Sequence, residues 1–306
     1  MSRDSLFMSV NSIDSATSPP TIGSSAPIQV VAGRYQLERI LGVGGMAIVF
    51  RAFDRLAAHF NHPSPYVALK IFKEEFAGFT DANYLLYSEY ALLATLNHPN
   101  IVRSFQFDID ATTERAFLTL EFLKGMTLDQ WLIENPLGTN LPKITPMLLE
   151  IIDAVDYSHQ HNIVHGDLKP SNIMLTQNGC VLFDFGLGQM LSGDLSILPK
   201  ISRKRFNAWT PKYAAPELLE DISLTTKTDI FALSCIIYEL LTGQNPYYID
   251  KKTKYTVKPT KPKDLSKKQW AALCCGLAIK PHDRLITAQE LKNAFQPYKK
   301  RYFYWF

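Results

Sequence analysis

The hydropathy pattern of this chain changes character once, and that change limits the folds open to it. Between Tyr35 and Phe122 the apolar residues fall in short strand-like runs broken by one helical stripe. From about Thr127 onward they fall mainly at helical spacing, with Gly125 at the joint. Strands gathered at one end and helices at the other describe an α+β protein with a small β-rich part and a larger helical part. With 306 residues, 46% of them hydrophobic and 20% charged, the chain is long enough for two such parts, each with a core.

Three segments follow. Residues 1–33 form a Ser/Thr- and Pro-rich leader, expected to be disordered, and order begins near Arg34. The small part covers 34–123 and the large part 124–306. Asp4 and Asp14 interrupt any apolar core in the leader, which excludes a Sec signal peptide. The most apolar run, from Ile230 to Leu241, contains Ser234, Tyr238 and Glu239 and is far short of a membrane span. No membrane span is expected. The location expected is cytoplasmic, with delivery into a host cell as the alternative that the leader's composition suggests. Cys180, Cys235, Cys274 and Cys275 include no C-x-x-C pair and read as buried free thiols in a reducing compartment. The net charge of +3 hides an asymmetry: from Asp250 onward fourteen Lys and Arg face four Asp and Glu. The basic stretch 251–268, from Lys251 to Lys268, reads first as a solvated loop and otherwise as a dock for an acidic protein partner or a membrane surface, with nucleic acid not favoured.

Locally, a first strand runs through Tyr35 and Leu37 to Ile40 and Leu41 and enters the turn Gly42-Val43-Gly44-Gly45. A second runs through Ile48, Val49 and Phe50. A third, Tyr66 to Phe72, lies beyond a loop containing Pro63 and Pro65. Its alternation puts Val67, Leu69 and Ile71 on one face and Ala68, Lys70 and Phe72 on the other. A helix capped by Thr80 or Asp81 and closed before Pro99 carries Leu85, Leu92, Leu93 and Leu96 on one stripe. Glu89 lies on that stripe, and a carboxylate there needs a positive partner.

In the helical half, Asn178-Gly179 between two apolar runs predicts a β-hairpin. Counting outward from that turn pairs Thr176 with Val181, Leu175 with Leu182, Met174 with Phe183 and Ile173 with Asp184. Asn172 and Asp184 then meet at the open end, an amide oxygen and a carboxylate suited to a hard cation such as Mg²⁺.

Singly these features are weak, since Gly42-x-Gly44 occurs in hairpins without ligands and Lys70 alone reads as a surface lysine. In order along the chain stand the glycine turn, Ala68-Leu69-Lys70, Glu89, the run His165-Gly166-Asp167-Leu168-Lys169-Pro170-Ser171-Asn172, Asp184-Phe185-Gly186 and Ala215-Pro216-Glu217. This series resembles the signature set of protein kinases over about residues 34 to 295, and Gly44-Gly45-Met46 looks like the bacterial serine/threonine kinases among them.

The resemblance implies a bilobal fold, ATP with Mg²⁺ (or Mn²⁺ in its place) and a protein substrate phosphorylated on serine or threonine, with autophosphorylation. It also implies roles. Backbone amides of Gly42, Val43, Gly44, Gly45, Met46 and Ala47 cover the phosphates, and Lys70, held by Glu89, binds them. Val49, Ala68 and Met174 flank adenine, Glu121 and Leu123 supply backbone hydrogen bonds, and Leu120 is the gatekeeper. Asn172 and Asp184 hold metal, Asp167 accepts or orients the acceptor hydroxyl, Lys169 steadies the moving phosphoryl group and Thr210 lies on the substrate side. Glu217 resembles the family glutamate that pairs with a late arginine, here Arg284, and Asp229 the acid heading the buried helix.

Three positions depart from the pattern. Ala47 replaces the third glycine, and Ser234 stands where the buried helix commonly has glycine. Gly166 replaces the arginine before Asp167, which makes this a non-RD chain and removes the usual receptor for a phosphate on the segment 187–214. Two alternatives accompany the kinase reading. A small-molecule kinase of the aminoglycoside or choline type shares His-Gly-Asp, but Lys169 and Thr210-Pro211-Lys212-Tyr213 argue for a protein acceptor. A pseudokinase scaffold is opposed by the presence of Lys70, Glu89, Asp167, Asn172 and Asp184.

Overall fold

The computed structural model describes residues 29–76, 80–197, 212–219, 223–247 and 259–297. The leader through residue 28, Thr210 and residues 251–258 of the basic stretch lie outside these, as do the side chains of Thr80 and Asp81. The chain divides into two compact units. The first holds the described residues up to Asn97 together with 102–124 and Ile197, and the second holds 98–101, 125–196 and the described residues from 212 onward. The short excursion 98–101 has a local cause: Leu182 N–H donates to Asn100 O at 2.8 Å, Asn100 Nδ2 donates to Cys180 O at 2.7 Å, and Ile101 bridges Leu182 in parallel.

The first unit is built on six strands: β1 (Val30–Val31), β2 (Tyr35–Val43), β3 (Ala47–Asp54), β4 (Tyr66–Phe72), β5 (Ser104–Asp110) and β6 (Arg115–Glu121). They form one antiparallel sheet in the order β1-β2-β3-β4-β6-β5. Order begins before Arg34, because Val31 pairs with Tyr35 and is buried in the core. The β4 alternation holds. Val67, Leu69 and Ile71 join Val31, Tyr35, Ala52 and Phe117 in one apolar cluster, each large side chain stabilising the unit by roughly 1.5–3 kcal/mol.

The loop expected before Pro63 opens instead with a short helix, Arg55–His59. Asp54 accepts the N–H groups of Leu56 and Ala57 at its start, while a two-pronged bond from Arg34 helps hold the Asp54 carboxyl below its usual range against the upward push of burial. The helix Thr80–Ala94 buries Leu85, Leu86, Leu92, Leu93 and Glu89, and Leu96 is buried just beyond its end.

In the second unit β7 (Gly125–Thr127), β9 (Ile173–Thr176) and β10 (Gly179–Leu182) make a three-stranded sheet, and β8 (Ile163–Val164) pairs with β11 (Gln189–Met190). The β9–β10 hairpin differs from the expected register by two residues. Thr176 pairs with Gly179, Leu175 with Cys180, Met174 with Val181 and Ile173 with Leu182. The loop is therefore Gln177-Asn178, and the Thr176 hydroxyl sets it by donating to Gly179 O (2.8 Å) and accepting from Asn178 N–H (3.1 Å). Gly179 is needed for another reason: its φ is +118°, and a Cβ there would lie 2.8 Å from the Glu150 carboxylate, which accepts the Cys180 N–H.

The helix Thr226–Thr242 is buried on every side from Thr228 to Leu240, as an apolar helix in the middle of a core must be. Two contacts fix its surroundings. Arg284, 1% exposed, places all five of its N–H groups: two on the Glu217 carboxylate (2.6 and 2.8 Å) and three on the carbonyls of Ala278, Lys227 and Ile279. Ser234 is accommodated by Gly276 on the neighbouring helix Lys267–Gly276, where an added Cβ would fall 2.0 Å from the Ser234 hydroxyl.

That neighbouring helix also corrects the thiol reading. Cys180 and Cys235 are buried, but Cys274 is exposed and Cys275 half-buried, because Leu273 and Gly276 occupy the inward positions. All four are free. Of the basic stretch, Lys261, Lys263, Lys267 and Lys268 are described and exposed. Among the described residues no helix is long and apolar enough to cross a membrane.

Two stability outcomes follow. Arg284→Met leaves Glu217 buried without its cation and should cost about 3–5 kcal/mol, read as a lowered urea midpoint, with Arg284→Lys recovering only part. Gly276→Ala should cost about 1–3 kcal/mol by overpacking. Adding Ser234→Gly should recover most of that loss, apart from roughly 1 kcal/mol for a glycine inside a helix. Additive single effects across this cycle would contradict the contact.

Candidate active site

The first unit gathers its candidate residues by strand register. Gly42 on β2 faces Val49 on β3, Val49 faces Lys70 on β4, and two residues before Lys70 on the same strand Ala68 faces Leu120 on β6. Ala68 and Leu120 are buried, and Val49 is partly so. The turn between β2 and β3 is closed by Gly44 N–H donating to Ala47 O at 2.8 Å. Lys70 Nζ reaches both Glu89 oxygens, at 2.9 and 2.6 Å, with Glu89 2% exposed. The carboxylate on the apolar stripe thus has its expected partner. Desolvating two charges is tolerated because they meet in a short two-pronged contact. Glu121 ends β6 with its N–H on Arg103 O (2.9 Å), and Leu123 follows it, partly buried.

In the second unit the loop between β8 and β9 is anchored from below by Asp229, in the first turn of the Thr226–Thr242 helix. Its oxygens accept the N–H groups of His165 (2.8 Å) and Gly166 (2.9 Å), and His159 Nε2 lies 3.0 Å away. Burial alone would push the Asp229 carboxyl up, but His159 and these N–H groups hold it below its usual range. Gly166 has φ +79°, a conformation glycine adopts without the strain a side chain would bring. His165 accepts the Asp167 N–H at Nδ1 (3.2 Å), so its Nε2 carries the proton and donates to Phe183 O (3.1 Å). Its ring packs 4.6 Å from the fully buried Phe185.

This scaffold sets the candidate catalytic groups. Asp167 Oδ2 lies 2.7 Å from Lys169 Nζ. Burial raises the Asp167 carboxyl above its usual range, with Lys169 opposing the shift. Asn172 donates Nδ2–H to Asp167 O (2.9 Å) and accepts the Phe183 N–H at its backbone carbonyl (3.0 Å). The hairpin register thus sets Asn172 against Phe183 rather than Asp184, with Asp184 the next residue along. Asp184 has φ +65°, a left-handed conformation rare for a non-glycine residue.

The Asn172 side-chain oxygen is buried and without a hydrogen-bond partner. A buried amide oxygen left open beside a carboxylate-bearing turn fits a hard, oxygen-seeking ion that keeps most of its own water. Among the described residues no group of three or more His, Cys, Asp or Glu could form a cage for a softer metal. Met174, partly buried, pairs with Thr127 on β7. Thr210 lies outside the described residues.

The structure adds a group that the sequence reading left unpaired. Glu239, inside the apolar helix, accepts Lys212 Nζ and the Tyr213 hydroxyl, both at 2.6 Å, and burial beside that carboxylate pushes the Tyr213 phenol up. The signal was present, because a glutamate in a run buried on every side needs partners as much as Glu89 does. His159 left no such signal, since nothing in its spacing ties it to Asp229.

The protein kinase domain family matches residues 35–295. Among curated proteins, a probable serine/threonine-protein kinase PknB from Lactococcus lactis is 31% identical over 221 residues, covering 72% of this chain and 33% of its own length. The serine/threonine-protein kinase PkaA of Streptomyces coelicolor is 34% identical over 227 residues (71% of this chain, 40% of its own). PrkC of Bacillus subtilis, also named a serine/threonine-protein kinase, is 31% identical over 242 residues (78% and 35%). The chain spans about a third to two fifths of the length of these relatives. The family match starts at the first residue of β2 and ends at the last residue of the helix Ala288–Phe295, so it takes in both units with their Lys70–Glu89 and Asp167–Asn172 groups: the chain belongs to the protein kinase domain family.

Proposed function

We propose that this chain transfers the γ-phosphate of ATP to serine or threonine hydroxyls of a protein substrate. The observation that carries the reading is the Asp167–Lys169 pair at 2.7 Å on a loop held by Asp229. A carboxylate with a cation beside it can take a hydroxyl proton while the cation balances the charge on the moving phosphoryl group. The names of the relatives favour a protein acceptor over a small molecule, and the closed Lys70–Glu89 pair favours turnover over a scaffold.

In this reading the acceptor oxygen attacks the γ-phosphorus, the bond to the β,γ-bridging oxygen breaks, ADP leaves and the hydroxyl proton passes to Asp167. Lys70, oriented by Glu89, binds the α- and β-phosphates, and amides of the turn 42–47 cover them. Val49, Ala68, Leu120, Met174 and the backbone of Glu121 and Leu123 receive adenine. Asn172 and Asp184 would hold Mg²⁺, which supplies charge neutralisation at the phosphates when bound. Thr210 belongs to the acceptor side.

Lys70→Met, Asp167→Asn and Asp184→Asn should each lower phosphoryl transfer at least about a hundredfold while leaving a folded protein. The check is γ-labelled ATP offered with a generic protein and an aminoglycoside side by side, followed by acid hydrolysis of the labelled protein. Label on phosphoserine and phosphothreonine is expected. Label on the aminoglycoside, or strong phosphotyrosine, would overturn the acceptor assignment.

The raised Asp167 carboxyl sets the pH dependence. Only its deprotonated form accepts the proton, so kcat/KM should fall as pH drops, along an acid limb above the ordinary aspartate value of about 3.9. Lys169 opposes that shift, so Lys169→Met should move the limb to still higher pH besides lowering the rate. A limb that stays in place or moves down in the variant, measured as kcat/KM across pH, would remove Asp167 from the role of base.

A further inference from the structure

Lys73 follows the last residue of β4 and is partly buried. Two of its groups go to the glycine turn. Its main-chain N–H donates to Met46 O at 2.9 Å, and its Nζ donates to Gly45 O at 3.0 Å. With the Gly44 N–H on Ala47 O at 2.8 Å, these bonds define the turn. Glycine strain does not define it: neither Gly44 nor Gly45 has a positive φ, and a Cβ on Gly45 would meet nothing within 4 Å.

Peptide planarity carries the effect onward. In a trans peptide the carbonyl and the following N–H point in opposite directions. Fixing Gly45 O therefore fixes the Met46 N–H, and fixing Met46 O fixes the Ala47 N–H. One residue orients two successive amides, the feature that anion-binding loops present to phosphate. Ala47 in place of a third glycine removes a flexible position from the same turn.

We propose that Lys73 is a positioning residue: it holds the turn 44–47 so that the Met46 and Ala47 amides are set for nucleotide phosphates, and it acts through those amides rather than by touching phosphate. The proposal rests on the nucleotide-binding reading above. Its test compares ADP and adenosine binding by calorimetry, with Mg²⁺ present, for the full chain and for Lys73→Met and Lys73→Arg. Lys73→Met should weaken ADP about two- to tenfold, the loss expected for one hydrogen bond, while adenosine binding stays as in the wild type. Lys73→Arg should restore ADP binding, because its guanidinium can reach and donate to the same carbonyl. Most of the ratio of wild-type to Lys73→Met affinity for ADP should persist at high salt, since a charge acting on phosphate across solvent is screened strongly and a direct hydrogen bond to a carbonyl far less.

Unchanged ADP binding in Lys73→Met, equal weakening of ADP and adenosine, failure of Lys73→Arg to restore binding, or a ratio that collapses with salt would each overturn the proposal while leaving the kinase reading intact. Wild-type protein that binds neither ligand overturns the nucleotide reading and this inference with it.

Discussion

The Asp229 carboxylate, 1% exposed, receives two consecutive main-chain N–H groups and a histidine ring, and the geometry of the loop that carries Asp167 propagates from it. His165 is fixed through its N–H, and its ring then accepts the Asp167 N–H on one side and donates a hydrogen bond to Phe183 O on the other. Asn172 closes the path by bonding Asp167 O and accepting from Phe183 N–H. A buried anion without these donors would be expensive. With them satisfied it is a rigid reference point, and each later bond inherits its precision. Gly166 takes part because its N–H is one of the donors and its positive φ lets two adjacent amides converge on one carboxylate.

The two units solve the problem of a buried charge in related ways. Lys70–Glu89 in one, and Arg284–Glu217 and Lys212–Glu239 in the other, each set a carboxylate 7% exposed or less against a cation at 2.6 Å. They differ in how exposed the cation is. The Arg284 side chain is fully enclosed, Lys70 is 13% exposed and Lys212 50%. The enclosed pair is cut off from solvent, while the two lysines keep part of their surface open to it.

Much of this was legible beforehand, and the reason is periodicity. The β4 alternation separated Lys70 from the core residues Val67, Leu69 and Ile71, and the helical stripe that includes Leu85 and Leu92 exposed Glu89 as a carboxylate in need of a partner. The β9–β10 register was not legible from Asn178-Gly179 alone, since it was decided by the Thr176 hydroxyl and by the Glu150 carboxylate, which lies on a helix 30 residues away from Cys180 along the chain. The hold of His159 on Asp229 spans 70 positions and leaves no mark on either local pattern. Lys73 left no signal in the sequence, because what it binds is main chain, and main-chain acceptors have no letter in a sequence.

The Ser234–Gly276 contact has a consequence for which residues such a core can hold. A side chain at 276 and the hydroxyl at 234 cannot both keep their places at 2.0 Å, so serine beside anything larger than glycine must displace one of the two. Glycine at both positions would leave a small void, which the serine fills. The Ser234 hydroxyl has no hydrogen-bond partner, so it occupies that space by its volume rather than through a polar contact. What one position tolerates is therefore set by the other, and the two helices share a single steric allowance.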